Sequence, residues 1–161
     1  MSTRTLRPNR SSDADAITAA CQDPEIQRWS LVLPNPYRRE DAVTWIERSV
    51  GDAQEGRSYA FVAVDAGGEV AGALSVFGGE IGYWVAPQAR RRGVATRAVT
   101  LLRDWAHETL GHERLFMTIH PDNAVSRRVA ERVGFVDTGQ RRIPDRGQDP
   151  DPHAIYVWTA A

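Results

Sequence analysis

The most informative segment of the sequence is IGYWVAPQARRRGVAT, which runs from Ile81 to Thr96. It opens with a short apolar and aromatic run that is typical of a strand and that Pro87 stops. Three arginines, 90 to 92, then precede Gly93, and the next glycine or proline after Gly93 is Gly111. The pattern predicts a strand, a turn, a cationic glycine loop and the first turn of a helix.

This loop has the properties of a site for a phosphorylated ligand. A helix N-terminus leaves backbone N–H groups unpaired and carries a partial positive charge. Preceding arginines and a glycine, which lets a ligand come close to the backbone, strengthen such a site. The alternative is a solvated basic loop that caps a helix, and the arginines and the glycine alone do not separate the two.

Two spacings favour the phosphate site. Residues 90–95, R-x-x-G-x-A, resemble the acyl-CoA pyrophosphate loop Q/R-x-x-G-x-G/A of the GCN5-related N-acetyltransferase (GNAT) family. Residues 123–126, N-x-x-S, and Gly134-Phe135 resemble the second half of the same family's core. The resemblance is closest to the branch that acetylates N-terminal amines of ribosomal proteins (RimJ/RimL-like). It extends from about residue 3 to residue 158 and is strong over residues 80–135.

The resemblance implies an α/β (α+β) architecture, the GNAT fold. That fold is a mixed, mostly antiparallel seven-stranded sheet with helices on both faces. It is splayed where the fourth and fifth strands, here residues 80–85 and 114–119, part to admit the cofactor. The residues themselves predict the element order β-α-α-α-β-β-β-α-β-α-β-β, which also indicates a mixed sheet with helices on its faces. We expect one N-acetyltransferase domain over residues 1–161.

The individual elements follow from apolar periodicity and turn residues. The predicted strands cover residues 3–7, 59–64, 70–77, 80–85, 114–119, 135–142 and 154–159. The predicted helices cover residues 13–21, a short segment from Asp23-Pro24 that holds Trp29, and residues 38–54, 94–110 and 121–133. Four of these helices carry apolar residues at helical spacing. In the third and the fifth helix the expected stripes are Val43, Ile46 and Val50, and Val125, Val129 and Val133.

Composition excludes several other classes of protein. The formal net charge of −1 argues against a nucleic-acid partner. No apolar run approaches about 20 residues and no signal-like run follows Met1, so we expect a cytoplasmic protein without a membrane partner. The single cysteine, Cys21, allows no intramolecular disulfide and is expected to be a small buried hydrophobe. A monomer and a homodimer both remain open.

The resemblance also implies how acetyl-CoA, as co-substrate, would bind. The pantetheine arm would pair with the backbone of Trp84 and Val85, and one of these two amides would polarise the thioester oxygen. Asn123 would hydrogen-bond the pantetheine arm, although its residue type also suits the N-cap of the following helix. The pyrophosphate would meet the charged side chains of Arg90 and Arg91 and the N–H groups of Arg92, Gly93, Val94, Ala95 and Thr96.

Three residues are candidates for the chemistry. Ser126 would protonate the leaving thiolate, as the resemblance implies, although a serine on a helix surface is the alternative. Glu80 is the first candidate for the base that deprotonates the amine, and an exposed glutamate at a strand end is its alternative. His120, at the end of the fifth strand, is the second candidate base. His107 and His112 do not have i, i+4 spacing and no ligand cluster surrounds them, so the sequence predicts no metal site.

The acceptor side is the part that the motifs define least. Trp29 and Tyr37 flank a proline-rich loop and are expected to line the substrate mouth. Asp145, Asp149 and Asp151 would attract a cationic amine or would simply form a solvated loop. The preferred function is an acetyl-CoA-dependent N-acetyltransferase acting on a primary amine by direct attack on the thioester. The acceptor would be a protein N-terminus or, alternatively, a small amine or antibiotic; a non-catalytic acyl-CoA sensor is a further alternative.

Overall fold

The structure is a computed structural model that describes residues 5–30, 32–145 and 149–161. Its strands are β1 Thr5–Pro8, β2 Ser58–Val64, β3 Val70–Phe77, β4 Glu80–Val85, β5 Arg114–Ile119, β6 Val136–Arg142 and β7 His153–Thr159. Its α-helices are α1 Ala14–Ala20, α2 Pro24–Trp29, α3 Arg39–Gln54, α4 Val94–Leu110 and α5 Ala124–Arg132. The predicted order of strands and α-helices is confirmed. Thr3 and Arg4 of the predicted first strand, and residues 146–148 of the predicted loop before β7, lie outside the described residues.

The sheet has the predicted splay. Its strand order is β1-β2-β3-β4-β5-β7-β6, and only the β4–β5 pair is parallel. In the described part of the sheet, the β4–β5 ladder consists of the single pair Glu80 and Phe116. The Phe116 N–H donates to the carbonyl of Gly79 at 2.9 Å, and beyond this point the two strands separate. The fold is therefore an open seven-stranded sheet with a gap between β4 and β5.

The two faces of the sheet bury different sets of helices. Because side chains alternate along a strand, Ile81, Tyr83 and Val85 lie on one face of β4, and Glu80, Gly82 and Trp84 lie on the other. The first three belong to a core that α4 and α5 cover, whereas Trp84 packs into a second core formed with α1, α2 and α3. We call these the α4–α5 face and the α1–α3 face.

Local chemistry sets the helix boundaries. Asp23 caps α2 by accepting the N–H of Ile26, and Pro24 occupies the first helical position. α4 begins after Gly93 and ends at Gly111, and both glycines have a positive φ, 71° and 76°. Eight residues, 86–93, thus separate the end of β4 from the start of α4, and the two elements share the core on the α4–α5 face.

The apolar stripes of two helices are predicted wrongly in part. Val50 and Val125 are 46% and 64% exposed. In α3, the buried face instead carries Ala42, Ile46 and Ser49. The buried face is therefore rotated by one residue from the predicted stripe, and the buried hydroxyl of Ser49 is satisfied because it donates to the carbonyl of Trp45 at 2.7 Å.

Two other expectations concern burial and membranes. Cys21 is buried, as predicted, and burial raises the pKa of its thiol to about 12. Among the described residues, no helix combines the length and the hydropathy needed to span a bilayer.

Candidate active site

The direction of the backbone N–H groups at the end of β4 distinguishes Trp84 from Val85, the two residues whose amides are expected to polarise the thioester oxygen. The N–H of Ala86 donates to the carbonyl of Ala71, a residue of β3, at 2.9 Å, whereas the carbonyl of Gly79 faces β5. Successive residues of a strand direct their backbone polar groups to opposite sides. The N–H of Val85 therefore faces the gap and that of Trp84 faces β3. Of the two, only Val85 is directed at the gap.

The arginine loop and the first turn of α4 form a cradle of donors. The first i−4 hydrogen bond of the helix runs from the Arg97 N–H to Gly93 O at 3.1 Å, so the N–H groups of residues 94–96 have no intrahelical partner. Gly93 has a φ of 71° and Arg91 a φ of 61°, the region that a residue with a Cβ rarely adopts. Arg91 and Arg92 are exposed. The residues present therefore suit a pyrophosphate.

Arg90 does not belong to this set of exposed cations. Its guanidinium forms an ion pair with Asp23, the N-cap residue of α2. The hydrogen bond from Arg90 is the main reason that the pKa of Asp23 lies below its ordinary value. Arg90 thus ties the loop to α2, which differs from its predicted place beside the phosphates.

Arg97 is a loop contact that the sequence analysis missed. Its guanidinium lies against Gly93 and donates to the carbonyl of Arg92. Within the described part of the chain, its buried Nε has no hydrogen-bond partner. The signal that could have identified Arg97 is its i+4 spacing from Gly93, which places both on one side of the first helical turn.

A chain of three polar side chains lines the α4–α5 face of the gap. Asn123 caps α5, because its Oδ1 accepts the N–H of Ser126 at 3.2 Å; its amide NH₂ is left to donate to a ligand. The Ser126 Oγ accepts the hydroxyl of Tyr83 at 3.2 Å. The predicted N-cap role of Asn123 is confirmed. Tyr83, which lies on β4, was missed because nothing in the sequence relates it to Ser126.

The α1–α3 face carries Glu80 at the point where β4 and β5 separate. The Glu80 carboxylate lies 3.9 Å from the guanidinium of Arg142 on β6, and both side chains are exposed enough to meet a ligand. Arg142 also donates to Thr118 Oγ1 at 3.5 Å. Alternation along β5 places Thr118 and His120 on this same face, because Ile119 is buried on the other one.

Both ring nitrogens of His120 have polar partners. Its Nδ1 accepts the backbone N–H of Asp122 at 3.0 Å, and its Nε2 lies 3.2 Å from the carboxylate of Asp151. A neutral imidazole has one donor and one acceptor nitrogen, so the Nε2–H donates to Asp151 and the only lone pair is already occupied. The ring also packs against Trp29, with centroids 5.3 Å apart. These contacts favour Glu80 over His120 as the base.

Pairing of β5 with β7 brings together a group that the sequence did not predict. Potential ligand atoms of His120, Asp149 and His153 all lie within 4.8 Å of one another. A metal on His120 Nε2 would require Nδ1 to carry a proton, yet Nδ1 faces the N–H of Asp122. His153 is buried and lies 3.0 Å from Asp149, and this contact is the main cause that lowers the pKa of Asp149. The cluster is best described as two hydrogen-bonded pairs: His120 with Asp151 joins the residues before β7 to the end of β5, and His153 with Asp149 joins them to β7.

The two predicted substrate residues have different environments. Trp29 lies beside His120 at the α1–α3 face. Tyr37 is only 5% exposed and belongs to the core under α1 and α3, so it does not line a mouth. The proline-rich loop turns its aromatic residue inward because burying a large ring stabilises the fold.

Comparisons with known proteins agree with this geometry. The model of the Acetyltransferase (GNAT) domain family matches residues 4–136. The "Putative ribosomal N-acetyltransferase YdaF" of Bacillus subtilis (strain 168) is 31% identical over 127 residues, which is 71% of this chain and 67% of the relative. The structure of Mycobacterium smegmatis RimJ in complex with CoA-disulfide superposes with a TM-score of 0.86 at 24% identity, covering 96% of this chain and 81% of that one.

A second solved structure widens the range of neighbours. Spermidine N-acetyltransferase from Vibrio cholerae, in complex with CoA and spermine, has a TM-score of 0.76 at 16% identity and covers 95% of this chain and 92% of that one. The chain belongs to the GNAT acetyltransferase family, and its similarity to ribosomal-protein acetyltransferases confirms the predicted resemblance. The expectation of acetyl-CoA as co-substrate is confirmed with it.

Proposed function

We propose that the chain transfers the acetyl group of acetyl-CoA to a primary amine, by direct attack of the amine on the thioester. The observation that carries this proposal is the arrangement around the gap. Glu80 lies on the α1–α3 face of β4, and Ser126 with its partner Tyr83 lies on the α4–α5 face. A base on one face and a hydroxyl donor on the other suit a reaction in which the amine enters from one side and the sulfur leaves on the other.

The chain's own groups would bind and orient the co-substrate. Arg91, Arg92 and the N–H groups at the start of α4 hold the pyrophosphate. The NH₂ of Asn123 donates to the pantetheine arm. The N–H of Val85, which faces the gap, donates to the thioester oxygen and stabilises the negative charge that grows there. Holding the acyl group against the amine supplies a further part of the rate enhancement through orientation.

Glu80 is the group that takes the proton of the amine, directly or through one water. Its carboxylate stands at the start of the gap, and Arg142 keeps a positive charge 3.9 Å away. Ser126 donates to the sulfur as the carbon–sulfur bond breaks. Trp29, His120 and Asp151 shape the opening through which the amine reaches Glu80.

The acceptor that we test first is the N-terminal amine of a protein. The support is the similarity to a relative whose name places it among ribosomal N-acetyltransferases. A small polyamine is the second candidate, because a neighbour in fold is a spermidine N-acetyltransferase. A non-catalytic acyl-CoA sensor is disfavoured by the presence of both Glu80 and Ser126.

A thiol-release assay with acetyl-CoA tests the proposal. The panel contains peptides with different N-terminal residues, the same peptides with blocked N-termini, and small amines. The wild-type chain should release CoA with at least one free amine, and Glu80→Gln should lower kcat by roughly 10²-fold or more. Glu108→Gln, an exposed glutamate on α4, is the matched control and should behave as wild type. Binding of acetyl-CoA without thiol release by any amine would identify a sensor instead.

A further inference from the structure

We infer that Tyr83 is a positioning residue for the departing sulfur, and that its hydroxyl aims the hydroxyl of Ser126 into the gap between β4 and β5. The inference rests on the proposed function, because it names what Tyr83 does for Ser126 in that reaction. The two side chains are 43 residues apart in sequence and lie 3.2 Å apart in the structure.

The geometry fixes Ser126 from two directions. Its backbone N–H is held by the Oδ1 of Asn123 at 3.2 Å, which sets the first turn of α5. Its Oγ accepts the hydroxyl of Tyr83, whose ring packs against the core beneath α4 and α5. A serine hydroxyl has two acceptor sites and one proton. With Tyr83 donating to one acceptor site, the Ser126 proton remains available for a ligand in the gap.

The proton of Tyr83 stays on the phenol during the reaction. Burial raises the pKa of Tyr83 above its ordinary value of 10.0, and the hydrogen bond with Ser126 offsets this only in part. An ordinary alkyl thiol has a pKa of about 8.5, so transfer of the phenol proton to sulfur would be unfavourable. Tyr83 therefore polarises the Ser126 hydroxyl, because a hydroxyl that accepts a hydrogen bond donates more strongly.

In this reaction neither hydroxyl gives up its proton. Ser126 therefore stabilises the thiolate by a hydrogen bond, whereas the family resemblance implies that it protonates the thiolate. The amine nitrogen forms a bond to the acyl carbon and loses its proton to Glu80. The carbon–sulfur bond breaks and its electron pair goes to sulfur. Ser126 donates a hydrogen bond to that thiolate, and the thiolate takes a proton from water after CoA leaves.

The decisive measurement is the pKa of the thiol of bound CoA, followed through the ultraviolet absorption of the thiolate. Wild-type protein should lower that pKa relative to free CoA. Tyr83→Phe, which removes only the hydroxyl, should raise it again by roughly 0.5 to 1 unit, the equivalent of a 3- to 10-fold loss of thiolate affinity. Affinity for desulfo-CoA, which lacks the sulfur, should not change. Tyr59→Phe is the control, since Tyr59 packs edge-on against Trp105 away from the gap.

Kinetics give a second readout. Tyr83→Phe should lower kcat by the same 3- to 10-fold and leave the KM for acetyl-CoA within about twofold. In a Ser126→Ala background the same substitution should have no further effect, because its partner is gone. A merely structural tyrosine would give additive losses and would weaken CoA and desulfo-CoA alike.

Four outcomes would overturn the inference. An unchanged thiol pKa in folded Tyr83→Phe, or additive losses in the double variant, contradicts the role of Tyr83 alone and leaves acetyl transfer standing. If Tyr83→Phe does not fold, the pKa of the thiol of CoA bound to Ser126→Ala is measured instead. A thiol pKa equal to that in the wild-type complex would then contradict the joint role of Tyr83 and Ser126. Failure of wild-type protein to bind CoA overturns the proposed function together with this inference.

Discussion

Single residues carry two kinds of constraint in this protein, one on backbone conformation and one on buried charge. Gly93 shows the first, since its φ of 71° is costly for any residue with a Cβ. Asp13 shows the second, since its carboxylate is only 4% exposed and accepts from Arg7 at 2.8 and 2.9 Å and from the N–H of Arg10 at 2.9 Å. Each of these two constraints predicts how one substitution, at Gly93 or at Asp13, changes the stability of the protein.

Gly93→Ala should destabilise the protein by about 1 kcal/mol through backbone strain. An added Cβ would also lie 2.8 Å from Nη1 of Arg97, so the guanidinium must shift, and CoA affinity should fall with the changed loop. Chemical denaturation and calorimetry measure the two effects. Gly51→Ala in α3, where nothing lies within 4 Å, is the control and should be neutral or stabilising. Wild-type stability and CoA affinity in Gly93→Ala would contradict this account of the loop.

Asp13→Asn should cost about 3 kcal/mol near neutral pH, because it leaves the Arg7 charge without its partner. Burial alone raises the pKa of Asp13, but the hydrogen bonds from Arg7 and Arg10 outweigh it and the net pKa is lowered. A carboxyl whose pKa is lower in the folded state stabilises fully above its unfolded pKa, about 3.9, and loses this contribution as pH falls through the folded value. The stability difference from wild type should therefore shrink only below about pH 4.

Denaturation curves at a series of pH values measure this difference. Asp15→Asn is the control, because Asp15 is 83% exposed in its pair with Arg39 and should change stability by less than 1 kcal/mol. A loss of stability in Asp13→Asn that does not depend on pH would show that packing, and not charge pairing, stabilises this site.

At the scale of elements, the arginine loop has two neighbouring helices, α2 and α4, and its arginines differ in which of them they serve. Arg90 pairs with the N-cap residue of α2, whereas Arg91 and Arg92 are exposed at the start of α4. Because the three arginines are adjacent in the sequence, the sequence alone does not show that one is paired and two are exposed. It arises because Arg91 adopts a positive φ, which turns the chain between its neighbours.

Arg91→Ala and Arg92→Ala should each weaken CoA binding, more at low salt than at high salt, because exposed charge attraction is screened. Arg90→Ala should chiefly lower the melting temperature and affect CoA binding less. Calorimetry at two salt concentrations and thermal unfolding separate the two effects. If Arg90→Ala lost more CoA affinity than the other two variants, Arg90 would have to be assigned to phosphate binding after all.

At the scale of the whole molecule, one sheet carries a core on each face. The α4–α5 core includes Leu102 and the α1–α3 core includes Ile46, and both side chains are buried. Strands β2, β3 and β4 each contribute side chains to both cores. Loss of packing on one face of the sheet would therefore disturb the other face through these shared strands. We propose on this basis that residues 1–161 form a single cooperative domain.

Leu102→Ala and Ile46→Ala should each destabilise the protein by about 2 to 5 kcal/mol, the cost of truncating a buried aliphatic side chain. Far-ultraviolet circular dichroism and tryptophan fluorescence should give one coincident transition in both variants. Val50→Ala, at an exposed position of α3, should change stability by less than about 0.5 kcal/mol. Separate transitions for the two faces would show two cooperative units.

The splay of the sheet was expected only from the family resemblance. The sequence alone predicts the order and the approximate bounds of the strands and α-helices and the glycine loop before α4. These features depend on local signals: Pro87 stops a strand, Gly93 and Gly111 bound a helix, and Asn123 caps the next one. Each acts within a few residues, so a local pattern identifies it.

Tertiary structure alone decided the partners within the site. Tyr83 meets Ser126 across 43 residues, and Arg90 meets Asp23 across 67. Which of two alternating backbone amides faces the gap, and which side of a helix is buried, also depend on the neighbouring strands. The physical reason is that hydrogen bonds and packing between distant segments are set by strand register and by the splay of the sheet, and these are properties of the assembled fold, which no short stretch of sequence encodes.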